Sequence, residues 1–137
     1  MYRIFLDTNI ALDLVANREP FVHDSRPFLV LVNEGEAQLF VSEASIGTLL
    51  YLAFERYKLT DAKKKLKEFV EFCHVISGGK EAFLNSLNSD FKDKEDGLQY
   101  FTAINNKMDF LITRDKKDFK SGMGKIPILS PKEFLGS

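Results

Sequence analysis

The sequence predicts an α/β fold, a single domain over residues 1–137 with about five mainly parallel strands flanked by helices. Two observations predict it. Short apolar runs alternate along the whole chain with segments whose apolar residues recur at helical spacing. The first run, Ile4-Phe5-Leu6, is continuously apolar rather than alternating, as expected of a strand covered on both faces in a parallel sheet. No internal repeat or linker interrupts the pattern.

The first strand covers Tyr2 to Leu6 and is followed at once by Asp7-Thr8-Asn9. Ile10 to Val15 is apolar around most of its circumference and reads as a short buried helix, stopped by Asn17-Arg18-Glu19-Pro20. A second helix starts at Asp24 or Ser25 and ends at Glu34, with Gly35 as its C-terminal cap. Gln38–Ser42 is the next strand, and Ile46, Leu49, Leu50, Ala53 and Phe54 mark a helix from about Glu43 to Tyr57. Thr60-Asp61 is expected to cap a helix carrying Ala62, Leu66, Phe69 and Val70. Its polar face holds Lys63, Lys64, Lys65 and Lys67, a solvated face or a contact for RNA or an acidic partner. His74–Ser77 is a strand closed by Gly78-Gly79, which lacks the surroundings of a phosphate loop. Helices follow over about Lys80 to Leu87 and again beyond Asp90–Asp96, then the strands Phe110–Thr113 and Ile126–Ser130 and a terminal helical turn at Pro131–Leu135.

Composition narrows the function classes. With 45% hydrophobic residues and 13 Phe, the chain can build a core and is not a disordered one. A net charge of -1 gives no overall bias toward nucleic acid, so polyanion binding has to come from local patches. Cys73 is the one cysteine, which excludes an internal disulfide, fits a reducing compartment and, with only His23 and His74 beside it, leaves no zinc-ligand spacing. No charged-then-apolar leader and no membrane-length apolar run is visible, so a soluble cytoplasmic protein is expected.

Three acids fall at strategic places. Asp7 directly follows the first strand, Asp115 follows the Phe110–Thr113 strand, and Asp96 lies at the start of the helix that precedes it. In a parallel sheet these positions share the carboxyl-end rim, where ligands bind in open α/β folds. Each acid has a bland explanation. Asp7 can cap the first helix, Asp93 and Asp96 resemble a capping box with Asp in place of Glu, and Asp115 and Asp118 can brace the turn after a strand. Convergence of all three on one rim favours a shared site. Such carboxylates raise each other's pKa unless a divalent cation neutralises them, and hard oxygen ligands suit Mg²⁺ or Mn²⁺.

Leu6-Asp7-Thr8-Asn9, Glu95-Asp96-Gly97-Leu98-Gln99 and Phe110-Leu111-Ile112-Thr113-Arg114-Asp115-Lys116-Lys117-Asp118-Phe119 together resemble the PIN-domain family, and Arg18-Glu19-Pro20-Phe21 is similar to a segment of one bacterial, VapC-like branch. The resemblance implies an Mg²⁺- or Mn²⁺-dependent endoribonuclease, often the toxin of a toxin–antitoxin pair, with an antitoxin protein as partner and commonly a homodimer. By position it makes Asp7, Asp96 and Asp115 the catalytic, metal-binding carboxylates, with Asn9 and Thr113 as polar supports. The helix after the second strand usually carries a Glu, and here that position is Thr48. Glu43, Glu95 and Asp118 are the candidates to compensate, and Arg114, Lys116 and Lys117 are the candidate RNA-binding cations.

The substitution at Thr48 also motivates an alternative, a catalytically weakened or inactive module of the same fold that binds RNA or a protein. An Asp-based phosphotransfer domain fits poorly. The His74–Ser77 strand supplies no acceptor Asp, and Asn9 stands where a haloacid-dehalogenase pattern needs a second Asp.

Overall fold

In the computed structural model, which describes residues 1–122 and 124–136, the strands line up in the order β3-β2-β1-β4-β5. These are β1 (Tyr2–Leu6), β2 (Ala37–Ser42), β3 (Cys73–Ile76), β4 (Phe110–Ile112) and β5 (Ile128–Leu129). Every neighbouring pair is parallel. Leu6 pairs in register with Ile112, so the residues after β1 and β4 emerge side by side at one rim. The ladder runs one step further, Asp7 N–H donating to Ile112 O at 3.0 Å.

The helices are α1 (Thr8–Ala16), α2 (Phe21–Ser25), α3 (Pro27–Asn33), α4 (Glu43–Tyr51), α5 (Ala62–Phe72), α6 (Gly79–Leu87), α7 (Lys94–Asn105) and α8 (Pro131–Leu135). They cover both faces of the sheet. Ile4 and Leu6 point into a core with α1, α3, α4 and α5, while Phe5, between them, points into a second core with Phe40, Phe91, Tyr100, Leu111 and Phe119. That two-sided burial is the reason β1 carries no polar residue between Ile4 and Leu6.

Helix α1 ends at Asn17, within the expected stop and in the left-handed conformation (φ 54°). Three local expectations are corrected. The helix expected from Asp24 is two helices, because Pro27 occupies the first turn of a new one and lacks the N–H that would continue the old. Helix α4 runs into a single π-helical turn over Leu52–Arg56. Asp61 precedes α5 in a left-handed conformation, and its side chain makes no capping hydrogen bond. Gly35, in contrast, has the positive φ (73°) expected of its cap position. Among the described residues, no helix is long and apolar enough to cross a membrane.

The close approach of α6 and α7 sets the position of the site helix. A Cβ at Gly97 would collide with Ser86 Oγ and lie 3.2 Å from Ser86 Cβ and 3.3 Å from Phe91 Cβ. Gly97→Ala is therefore expected to destabilise the fold by about 1–3 kcal/mol through overpacking, measurable as a lower midpoint in urea unfolding with an unchanged slope.

Candidate active site

Asp7 is 5% exposed, at the point where β1 becomes α1. Its carboxylate does two jobs. One oxygen accepts from Thr8 N–H at 2.8 Å, capping α1, and the other accepts from the Thr113 hydroxyl at 2.9 Å. Thr113 Oγ1 in turn accepts from Asp115 N–H at 3.1 Å, so one fully buried hydroxyl ties the ends of the two central strands together. Thr113 is the polar support expected of it. Asn9 is exposed and its side chain makes no hydrogen bond among the described residues.

The residue before it, Thr8, enters a side-chain hydrogen-bond network. Thr8 Oγ1 lies 2.6 Å from Ser45 Oγ, and Gln99 Nε2 donates to both, at 3.0 and 2.8 Å. This network joins the starts of α1 and α4 to α7. Thr8, Ser45 and Gln99 were not singled out from the sequence. The spacing of Asp93, Asp96 and Gln99, three apart on one helix face, is the signal that could have found Gln99.

Asp96 stands in the first turn of α7, which Asp93 caps by accepting from Glu95 and Asp96 N–H at 2.8 and 3.2 Å. The cap and the site are the same structure. Partial burial, then the carboxylates of Asp93, Asp7, Asp118 and Asp115, push the Asp96 carboxyl up to about 7. Asp7 is also raised, by burial above all and by Asp115, against the lowering effect of its hydrogen bonds and of Arg114. The charges of Asp7 and Asp115 thus both bear on Asp96, and that of Asp115 bears on Asp7.

An open cleft of 440 Å³ lies beside them, lined by Asp90, Asp93, Asp96 and Asp118 and by Lys92, Lys117 and Lys120. Among the described residues, no group of three or more His, Cys, Asp or Glu side chains is placed to hold a metal ion between them. Asp96 faces the open cleft together with Asp90, Asp93 and Asp118. That arrangement fits a hard divalent cation that keeps part of its water shell, as Mg²⁺ does when held by one or two carboxylates.

The candidate compensating acids separate clearly. Asp118 lines the cleft and raises Asp96, and Asp93 does the same. Glu43 lines a different cleft with Ser77, Phe83, Leu98 and Thr102, and Glu95 lines neither cleft. Thr48 is exposed, and its hydroxyl reaches the Ala44 carbonyl of its own helix at 3.4 Å. The candidate RNA-binding cations divide too. Lys117 lines the acidic cleft, Lys116 Nζ bonds Glu133 Oε2 at 2.9 Å, and Arg114 is held by Asp13.

A parallel sheet flanked by helices, with carboxylates at its carboxyl rim, defines an open α/β domain whose candidate site lies at the ligand-binding edge of such sheets. The chain belongs to the PIN domain family, whose model matches residues 3–117. It is 26% identical over 137 residues to ribonuclease VapC1 of Aquifex aeolicus, covering 96% of this chain and 92% of that protein. Its fold matches chains from a VapBC2 complex of Rickettsia felis bound to a promoter DNA fragment (TM-score 0.67, 16% identity, 92% of this chain and 96% of that one). A toxin–antitoxin complex from Klebsiella pneumoniae matches with TM-score 0.67 and 21% identity, covering 93% and 97%. VapBC-1 from nontypeable Haemophilus influenzae matches with TM-score 0.62 and 14% identity, covering 95% and 98%.

The raised Asp96 carboxyl has a consequence for stability. Its folded value, about 7, exceeds the ordinary 3.8, so between those values the folded chain holds a proton that the unfolded chain has released. Stability from this group falls as pH rises through that window and levels off above it. The melting temperature of metal-free Asp96→Asn, compared with the parent, is expected to gain steadily from about pH 4 to pH 7 and then hold constant. A pH-independent difference would contradict the assignment.

Proposed function

We propose that this protein is a divalent-metal-dependent endoribonuclease, the toxin member of a toxin–antitoxin pair, with Asp7, Asp96 and Asp115 as its metal-binding and catalytic carboxylates. The observation that carries the proposal is the Thr113 hydroxyl that ties Asp7 to the backbone of Asp115 where β1 and β4 end side by side, with Asp96 close enough to feel the charge of both. The likeness to a VapC ribonuclease supports RNA as substrate, and the likeness to toxin–antitoxin complexes supports an antitoxin partner and a homodimer.

When bound, Mg²⁺ or Mn²⁺ supplies a polarised water and neutralises charge on the phosphate. The chain's own residues do the rest. Thr113 and Thr8 hold the Asp7 carboxylate in one orientation, and Asp93 fixes the turn that presents Asp96. Lys92, Lys117 and Lys120 edge the cleft and offset repulsion between clustered acids and a polyanion. Asp93, the cap of α7, and Asp118, in the segment after β4, supply negative charge that Thr48 does not.

For partners, the helix α4 and its π-helical extension expose Leu50, Tyr51, Phe54 and Tyr57 along their length. Apolar surface gathered in this way is suited to burial against another protein chain.

Cleavage of single-stranded oligoribonucleotides is expected with Mn²⁺ and is lost on chelation. Asp7→Asn and Asp96→Asn are each expected to lower kcat at least about 100-fold, the scale of losing an electrostatic element of a catalytic site. Glu95→Gln and Glu43→Gln should leave it unchanged. Unaltered cleavage by Asp7→Asn would overturn the assignment. Retained RNA binding with no Mn²⁺ binding by calorimetry would favour the non-catalytic alternative.

A further inference from the structure

Asp115 lines a second cleft, 380 Å³, together with Phe21, Asp24, Arg114, Ser130 and Lys132. Its wall is prepared by a group that the proposed chemistry does not use. Asp13 is fully buried (0% exposed) and binds two arginines. Its Oδ1 accepts from Arg18 Nε at 2.8 Å and from Arg114 Nη2 at 3.3 Å, and its Oδ2 accepts from Arg114 Nε at 2.9 Å. The guanidinium of Arg114 is thereby fixed over the Phe21 ring, its Cζ 3.7 Å from the ring centroid. Arg114 Nη1 makes no hydrogen bond among the described residues, and Phe21 remains 38% exposed.

An arginine plane stacked on an aromatic ring, fixed before any ligand arrives, is a surface on which unpaired bases stack. The other lining groups match the rest of a nucleotide. Lys132 is an exposed cation, the Ser130 hydroxyl accepts from Glu133 N–H and retains its proton to donate, and the Asp24 carboxylate can accept from an exocyclic amino group.

We propose that this cleft is a nucleotide subsite, which takes the nucleotide next to the cleaved phosphodiester of an RNA strand. The base lies against the Arg114–Phe21 stack, and the phosphate lies at Lys132 and Arg114 Nη1. The inference rests on the ribonuclease reading above and adds where the strand runs: from the acidic cleft, past Asp115, to α2 and α8. It also gives the Arg18-Glu19-Pro20-Phe21 segment a purpose, since Arg18 secures Asp13 and Phe21 backs Arg114.

The test uses the full chain with Mn²⁺ and single-stranded oligoribonucleotides. Phe21→Leu and Lys132→Ala alter exposed side chains and should fold. Each is expected to raise KM about 5-fold or more, the scale of losing one stacked base, while kcat at saturation and Mn²⁺ affinity by calorimetry stay at parental values. Phe21→Tyr, which keeps the ring, should restore the parental KM. Parental KM in both Phe21→Leu and Lys132→Ala, with cleavage still abolished by Asp96→Asn, would overturn the subsite and leave the ribonuclease standing. A fall in Mn²⁺ affinity alongside the KM change would also overturn it, placing the effect in the acidic cleft. Failure of the parent protein to bind or cut any oligoribonucleotide would overturn both.

Discussion

A carboxylate with almost no access to water, set where β1 turns into α1, is the constraint on which the rest of this structure depends. Burying Asp7 is costly, and its two hydrogen bonds, from Thr8 N–H and the Thr113 hydroxyl, offset only part of that cost, because its pKa stays raised. The bond from Thr113 exists only if β1 and β4 are neighbours in the register that pairs Leu6 with Ile112. The sheet order that places β1 between β2 and β4 is thus a condition of the site as much as of the core. The same geometry explains why a helix cap and a candidate catalytic group are one residue. The capping position at the end of a buried strand is where a short acidic side chain finds backbone donors in an otherwise apolar place.

The chain contains a second buried acid, and the comparison between them is informative. Asp13 is met by two guanidinium groups, whose donors satisfy both of its oxygens. Asp7 is met by neutral donors, with Asp115 and Asp96 adding negative charge nearby. A buried carboxylate matched by cations within the fold is complete as it stands. Asp7, hydrogen-bonded only by neutral groups, keeps a raised pKa although the charge of Arg114 lowers it in part. The two acids sit at opposite ends of α1's first turns, yet Arg114 links them, since it binds Asp13 and lowers Asp7 through its charge.

Much of the architecture was legible because the two-sided burial of β1 leaves a plain mark, an apolar triplet followed by Asp7. The rim argument for Asp7, Asp96 and Asp115 needed only strand direction, which alternation of strands and helices supplies. What was hidden depended on side-chain reach. Arg114 reads as a free cation beside a strand end, and nothing local reveals that Asp13, far away in sequence, is buried beneath it. Asn9 lies next to Thr8, but only the helix phase decides which of the two turns toward Ser45 and Gln99. Glu43 begins α4 and points to the cleft near Leu98 for the same reason. Asp61 failed as a cap because its backbone is left-handed, whereas side-chain capping needs an extended one.

The departure at Thr48 is best understood through charge rather than position. What a divalent ion requires of a rim is enough negative potential and a few oxygen atoms, and water can span the gaps between them. In this chain the potential at Asp96 comes first from Asp93, its own helix cap, then from Asp7, and also from Asp118 across the cleft. Helix α4 contributes hydroxyl groups instead, through Ser45 to Thr8 and Gln99, and so acts as a brace for α1 and α7. On the proposed reading, the negative charge of the site has shifted toward α7 and the segment after β4. Those two elements also carry Lys92, Lys117 and Lys120 along the cleft edge. Cation-holding acids and phosphate-facing lysines then share one pair of elements, and the spacing between them is fixed by the packing of Phe91 against Phe119 in the core beneath.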